Sequence, residues 1–407
     1  EAILIQRGSS SGEVIVEFNN FIPSNIDPSD EELIHSTPTA LSAARRYLTG
    51  ANVGDYALFA GGYGSSPTYK DTVDAYDLSL IRSTPTALSV ARYYLSGANV
   101  GNYALFAGGY GDGSYRDTVD AYDTSLVRST PTALSEARGY FPGASVGDHA
   151  LFAGGTRGSS NRRSTVDAYD TSLTQSTPSA LSVARYSLAG ASVGTYALFA
   201  GGYDASSYNT VDAYDTSLTR STLTSLSVAR YGLAGASVGN YALFAGGYGS
   251  SSPYYKDTVD AYDTSLTRST PTALSAVRRY LTGASVGDYA LFAGGYDGSY
   301  RSTTVDAYDT SLTRSTPTTL SKAREYLAGA SVGDYALFAG GYDGSDYYDT
   351  VDAYTLQVSV AVLCVPIGTK YKFGESEEET ATTNEITVPV PVTGYIKFKN
   401  GVISNEV

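Results

Sequence analysis

The stretch YLTGANVGDYALFAGGYGSSPTYKDTVDAYDLSLIRSTP, Tyr47–Pro85, holds four short β-compatible runs separated by turn residues. Tyr47–Val53 is short and apolar, and the Gly54-Asp55 pair after it suits a two-residue type II′ hairpin. Tyr56–Ala60 (YALFA) is the second run. It ends at Gly61-Gly62, where a backbone without Cβ can turn or approach a neighbour closely. A polar loop from Tyr63 to Asp71 leads to Thr72–Tyr76 (TVDAY), with Val73 and Ala75 on one face and Asp74 and Tyr76 on the other. Asp77 opens a turn into Ser79–Thr84, and Pro85 is tolerable because an outermost strand has a free edge. Nothing in the unit has the length or the 3.6-residue period of a helix.

The unit recurs. Ala-Leu-Phe-Ala-Gly-Gly begins at Ala57, Ala104, Ala150, Ala197, Ala242, Ala290 and Ala336, and Val-Asp-Ala-Tyr follows each time, from Val73 to Val351. A fixed period in this range reads as a propeller or solenoid. Four antiparallel strands make one propeller blade, and seven blades fall within the usual four to eight. The sequence therefore predicts an all-β, seven-bladed β-propeller.

The repeat resembles the kelch motif. The apolar strand ending in Gly-Gly, the later Tyr-Asp and the arginine before each next first strand (Arg45, Arg92, Arg138, Arg185, Arg230, Arg278, Arg324) carry the resemblance over residues 31–355. The Trp that kelch units usually carry after Tyr-Asp is missing, and Leu occupies that region (Leu80, Leu126, Leu173).

The order of the copies predicts how the ring closes. Glu31–Ser42 (EELIHSTPTALS) matches the fourth-strand segment Leu80–Ser89 but has no first three strands before it, and the last copy ends after three strands at Tyr354. Residues 31–42 are therefore expected to complete the seventh blade and remove two exposed edges. Residues 1–30 and 356–407 lack the repeat. Ala2–Gln6, Glu13–Phe18, Val358–Ile367, Lys370–Phe373, Ile386–Val390 and Tyr395–Lys399 read as strands, and the two ends are expected to build one small β domain. These ends, together with the very similar Tyr-rich blades, resemble kelch-type proteins of bacteriophage tail and surface structures.

The 407 residues carry a net charge of −14, which argues against a nucleic-acid or anionic-membrane partner because both need basic patches. No apolar run reaches the roughly 18–20 residues of a membrane span. The single cysteine, Cys364, rules out an intrachain disulfide and is expected to be a buried small hydrophobe. No signal peptide is visible, and the absence of Met is expected to reflect a removed initiator or a processed chain.

The near-copies act as an alignment within one chain. The hairpin turn and the third-to-fourth turn open on one face of the ring and barely change. The second-to-third loop and the segment after the repeat arginine open on the other face and vary. That loop reads YGSSPTYKD, YGDGSYRD, TRGSSNRRS, YDASSYN, YGSSSPYYKD, YDGSYRST and YDGSDYYD. Tyr, Ser, Gly and Asp dominate, the alphabet of antibody loops, where Tyr gives a large amphipathic contact at little entropic cost. Free drift of a solvated loop is the bland reading, but drift would not retain a Tyr in most copies. The candidate ligand-binding residues are Tyr69, Tyr115, Arg116, Arg162, Arg163, Tyr208, Tyr254, Tyr255, Tyr300, Arg301, Tyr347 and Tyr348 in the loops. Arg46, Tyr93 and Arg279 join them from the segment after the repeat arginine. Most of the remaining tyrosines sit at repeating positions and are expected to serve the blades.

Catalytic and metal chemistry have little to stand on. His149 takes the place held by Tyr56 in the first copy, and His35 the place of Arg82. Two separated histidines and one cysteine do not make a usual Zn or Cu site. Gly8–Gly12 (GSSSG) matches a nucleophile-elbow pattern without the helix or partner histidine that pattern needs. The repeated Asp74, Asp120, Asp167, Asp212, Asp260, Asp306 and Asp352 lie away from the channel and are expected to form structural hydrogen bonds. No cofactor is expected. Asp112-Gly113, Asp297-Gly298 and Asp343-Gly344 offer oxygens to Ca²⁺ but lack the ligand count of a strong site, and turn formation explains them equally well.

The expected function is non-enzymatic binding at a virion surface or another extracellular setting. The Tyr-rich face would meet a host-surface glycan or protein, and the terminal β domain would join other structural subunits. The alternatives are a scaffold that contacts sister subunits or a protein partner and, with no feature in its favour, a carbohydrate-active enzyme.

Overall fold

The structure, a computed structural model, describes residues 4–7, 13–18, 31–158, 161–363, 370–373, 379–380, 385–390 and 394–399. Cys364 and the Gly8–Gly12 segment lie outside them. The described residues are all-β, with seven four-stranded antiparallel blades. Blade 1 runs from Thr49–Val53 at the centre through Tyr56–Ala60 and Val73–Tyr76 to Arg82–Ser83 at the rim. The innermost strands of blades 2 to 7 are Ser96–Val100, Gly143–Val146, Ala189–Val193, Ala234–Val238, Thr282–Val286 and Ala328–Val332. Each packs beside the next, and Ala328–Val332 packs beside Thr49–Val53, so the ring is closed. In blade 7 the outermost strand is Glu31–Ser36, alongside Val351–Leu363.

Strand alternation places the core between blades rather than within them. Val53, Leu58, Ala60, Val73 and Ala75 of blade 1 face Ala104, Phe106 and Tyr122 of blade 2. Ala57, Phe59 and Tyr76, on the other face, meet Leu337, Ala339 and Val351 of blade 7. Each fully buried Phe of this set contributes roughly 1.5–3 kcal/mol.

The centre is too tight for side chains at one level. A Cβ on Gly97 would lie 2.3 Å from the Gly50 carbonyl oxygen, and one on Gly50 would lie 2.2 Å from that of Gly329. The same contact repeats around the ring, so glycine is required there by close approach. One residue pair further on, Ser192 Oγ donates to the Ser145 carbonyl and Ser237 Oγ to that of Ser192, each at 2.6 Å.

The repeated arginines and aspartates form one buried pair per blade. Asp74 accepts from Arg45 at 2.7 Å and from Arg82 at 2.8 Å, and Arg45 also donates to the Phe59 carbonyl. The Arg45 and Asp74 side chains are both fully buried. In blade 7 His35 takes the rim position and lies 2.6 Å from Asp352, which also accepts from Arg324. Burial alone would raise the Asp352 carboxyl, but the Arg324 guanidinium and the Ser321 N–H outweigh it and hold it below the usual aspartate range. The aspartates are thus committed to structural hydrogen bonds.

Several strands are shorter than the sequence suggested. Tyr47 (φ 58°) turns the chain before the first strand, and Leu80 (φ 58°) does so before the fourth. In the latter turn Asp77 accepts from the Ser79 and Ile81 N–H groups, and this leaves only Arg82–Ser83 to pair. A leucine at positive φ is strained. Leu80 compensates by packing on the cluster shared by blades 7 and 1, and Leu126 and Leu173 do the same at the next two interfaces.

Residues 1–34 and 356–407 form a compact unit of their own. Its five-stranded sheet runs Leu4–Arg7, Glu13–Phe18, Gly394–Lys399, Lys370–Phe373, Glu379–Thr380, so both ends of the chain enter one sheet. Glu385–Val390 pairs with the far half of Val351–Leu363.

Candidate binding site at the channel mouth

On the variable face, the residue after each repeat arginine bridges the residue after Gly-Gly in the same blade: Arg46 with Tyr63, Tyr93 with Tyr110, Gly139 with Thr156, and so on to Glu325 with Tyr342. The long loop then folds back against that second residue, pairing Tyr63 with Tyr69, Thr156 with Arg162, Tyr248 with Tyr255, Tyr296 with Arg301 and Tyr342 with Tyr347. Each blade thus presents a short three-segment ribbon, and seven ribbons surround the mouth of the channel.

The inner rim is a collar of Tyr47, Tyr94, Tyr140, Ser187, Gly232, Tyr280 and Tyr326. Its backbone forms an unbroken belt. The Tyr94 N–H donates to the Tyr47 carbonyl, Tyr140 to Tyr94, Ser187 to Tyr140, Gly232 to Ser187, Tyr280 to Gly232, Tyr326 to Tyr280, and Tyr47 back to Tyr326, at 2.9–3.1 Å. Positive φ at every one of these residues aims the N–H sideways into the next blade. The collar rings pack on one another: Tyr94 on Tyr140 at 3.5 Å, Tyr47 on Tyr94 at 4.1 Å, and Tyr280 and Tyr47 on Tyr326 at 4.4 Å each. Burial pushes the Tyr94 and Tyr326 hydroxyls well above the usual tyrosine range, and the hydroxyls of neighbouring tyrosines add to it. The collar, Tyr186, Tyr231 and a layer beneath of six leucines and Phe141 line an open cavity of about 530 Å³. Ser187 and Gly232 interrupt the aromatic collar in two adjacent blades, and the Tyr280 ring leans over Gly232.

Sequence reasoning placed these tyrosines among those serving the blades, and the structure corrects that. The Tyr47 set lines the cavity and the Tyr63 set flanks it. Only the Tyr56 set, against the interblade clusters, and the buried Tyr76 set serve the sheets. Repetition hid the distinction, because a residue that recurs in most blades reads as structural whichever way it points. His149 stands in the place of Tyr56 at the start of its second strand.

The candidate loop residues divide by position. Tyr69, Tyr115, Arg162, Tyr255, Arg301 and Tyr347 are the pairing members. Tyr69 stacks on Tyr93 at 5.6 Å, Tyr115 meets Tyr110 at 5.0 Å, and Arg162 lies over Tyr186 at 5.0 Å while bonding Asp204 of the next loop. Tyr93 is packed among Tyr63, Tyr94 and Tyr110, and burial pushes its hydroxyl up to about 12. Arg116, Arg163, Tyr208 and Tyr348 are the following residues. Each donates its N–H to the second glycine of the Gly-Gly pair, and three bond nearby carboxylates: Arg116 Asp112, Arg163 Glu136 and Tyr348 Asp343. These four brace their loops. Tyr254 stacks on Tyr248 with half its surface open, and Tyr300 is the most exposed large hydrophobic of the face, at 77%.

Charge gathers on one side. Arg46 lies over Tyr342 at 4.2 Å and Tyr47 at 4.7 Å, and Arg279 over Tyr248 and Tyr280 at 4.7 Å each. Between them Glu325, a residue the sequence reading passed over, is buried and accepts from Arg301 at 3.0 Å. Burial raises the Glu325 carboxyl, opposed by Arg301, Arg279 and Arg46. Among the described residues, no group of three His, Cys, Asp or Glu side chains is arranged to hold a metal ion, and no helix is long and apolar enough to cross a membrane.

The fold defines a seven-bladed β-propeller with its loop face built around an aromatic mouth. A solved structure of YjhT is similar, with a TM-score of 0.55 at 13% sequence identity, over 69% of this chain and 99% of that one. The likeness is one of fold. No family model matches the chain, and no curated protein matches it.

Proposed function

We propose that this protein is a non-enzymatic binding module whose loop face recognises a glycan or protein on a host surface, carried on a virion, a phage tail or another extracellular structure. The observation that carries the reading is the tyrosine-ringed cavity lying on the face where otherwise identical blades differ. Aromatic faces pack against the apolar faces of sugar rings while tyrosine hydroxyls bond their hydroxyls, and a concave site with convergent polar groups suits a bound ligand. The terminal β unit would attach the propeller to its assembly. Binding of the purified chain to a glycan array and to whole bacterial cells tests this, beside a variant with Tyr→Ser at Tyr69, Tyr115, Tyr255 and Tyr347. Anchoring aromatics cost about 2 kcal/mol or more each when truncated, so the folded variant should lose binding at least 100-fold. Binding by neither protein would reject recognition.

A scaffold role is the second reading. Leu78, Ile81 and Val127 are exposed on the third-to-fourth turns of blades 1 and 2, where later blades carry Thr. Exposed apolar side chains on the face away from the mouth suit contact with a sister subunit or protein partner. Sedimentation of the parent beside Leu78→Thr, Ile81→Thr and Val127→Thr separates it from the first.

A further inference from the structure

The charged residues at the position after the repeat arginine fall in three adjacent blades. At the position after the repeat arginine, the seven residues are Arg46, Tyr93, Gly139, Tyr186, Tyr231, Arg279 and Glu325. Ring closure puts blade 7 between blades 6 and 1, so Arg279, Glu325 and Arg46 become neighbours, and Arg301 of blade 6 reaches the same place. Three guanidiniums thus meet one carboxylate.

That carboxylate is already used. Glu325 accepts both the Nε and the Nη2 of Arg301 through a single oxygen. Among the described residues no carboxylate lies within ion-pair distance of Arg46 or Arg279, whose guanidiniums rest on tyrosine rings. Of the nearby loop carboxylates, Asp346 is exposed, and Asp297 and Asp343 are turned onto donors of their own loops. Asp297 caps the Ser299 and Tyr300 N–H groups, and Asp343 accepts from Ser345, Asp346 and Tyr348. Arg46 and Arg279 are therefore two cations at the mouth without an ion-pair partner among the described residues, in a chain of net charge −14. Stacking on aromatic faces fixes a guanidinium and leaves its edge N–H donors available for a planar anion.

We infer that the sector formed by Arg46, Arg279, Arg301 and Glu325 selects an anionic glycan, seating its acidic groups on Arg46 and Arg279 while its sugar rings pack on Tyr63, Tyr255 and Tyr347. This rests on the recognition reading above and names the ligand class of that site. The shared chemistry is an oxyanion on a sugar chain, whether carboxylate or sulfate.

Calorimetric binding to alginate oligosaccharide (carboxylated), a heparin fragment (sulfated), dextran (neutral) and poly-glutamate (an anionic peptide), each at low and moderate salt, tests it. Tighter binding of either acidic glycan than of dextran is expected, weakening as salt rises. The double variant Arg46→Gln, Arg279→Gln should lose at least 10-fold for the acidic glycan and little for dextran. Glu325→Gln should bind the acidic glycan several-fold tighter, and because it adds net positive charge without removing an arginine, it keeps the inference testable if the double variant unfolds. Dextran binding as well as the acidic glycans would overturn the inference and leave the recognition reading standing. Poly-glutamate binding best would replace the glycan by a peptide. Binding of none of the four would overturn the inference, and the array and cell experiment then decides the broader reading.

Discussion

Gly97 shows how little freedom a single position has near the axis. The oxygen 2.3 Å from its missing Cβ belongs to the backbone of the preceding blade and cannot rotate away. Gly97→Ala must push two innermost strands apart, and overpacking of this kind costs about 1–3 kcal/mol. Denaturant unfolding of the variant should show that loss, and an unchanged midpoint would mean that the strands yield freely. The invariance of this glycine is visible in the repeat, but its reason is not, because the clash is with a residue 47 positions away. The seven aspartates were more legible. Their place on the third strand, away from the channel, already pointed to structural hydrogen bonding.

The blade depends on the arginine that ties its strands together. Arg185 donates to Asp212 at 2.8 Å and to the Phe199 carbonyl at 3.1 Å, linking the segment before the first strand to the second and third strands. Removing one partner of a buried pair leaves the other charge without compensation, typically at 3–5 kcal/mol. Arg185→Leu should therefore destabilise the protein by about that much, measured by chemical denaturation, and the double change with Asp212→Leu should recover a large part of it. Equal losses in single and double variants would show that packing, not the charge, dominates. Strand order and strand number could be read from the unit, since alternation and turn residues encode them locally. Strand ends could not, because Tyr47 and Leu80 adopt positive φ only where a neighbouring blade holds them.

The ring as a whole holds a large store of buried tyrosine. Tyr76 and its equivalents through Tyr354 are fully buried, each donating its hydroxyl to a backbone carbonyl such as that of Thr39. Burial first, and the nearby aspartate second, pushes these hydroxyls well above the usual range. The folded state therefore keeps protons that the unfolded chain releases near pH 10, and stability falls as pH rises above roughly that value. Tyrosinate absorbance should show this set ionising together with the loss of near-ultraviolet circular dichroism. Ionisation of the set while the dichroism persists would contradict the burial that the ring imposes.

What is local in this protein was present in the chain: the blade, its four strands, the number of copies and the face on which they differ. Those follow from alternation, turn chemistry and repetition, which act over a few residues. The division of the tyrosines between sheet and mouth was not legible, nor was the meeting of Arg46 with Arg279 and Glu325. Each depends on which blades become neighbours and on which way a side chain points once the backbone has turned. Residues 46 and 325 lie 279 positions apart and become neighbours through closure, which is a property of the seven blades together.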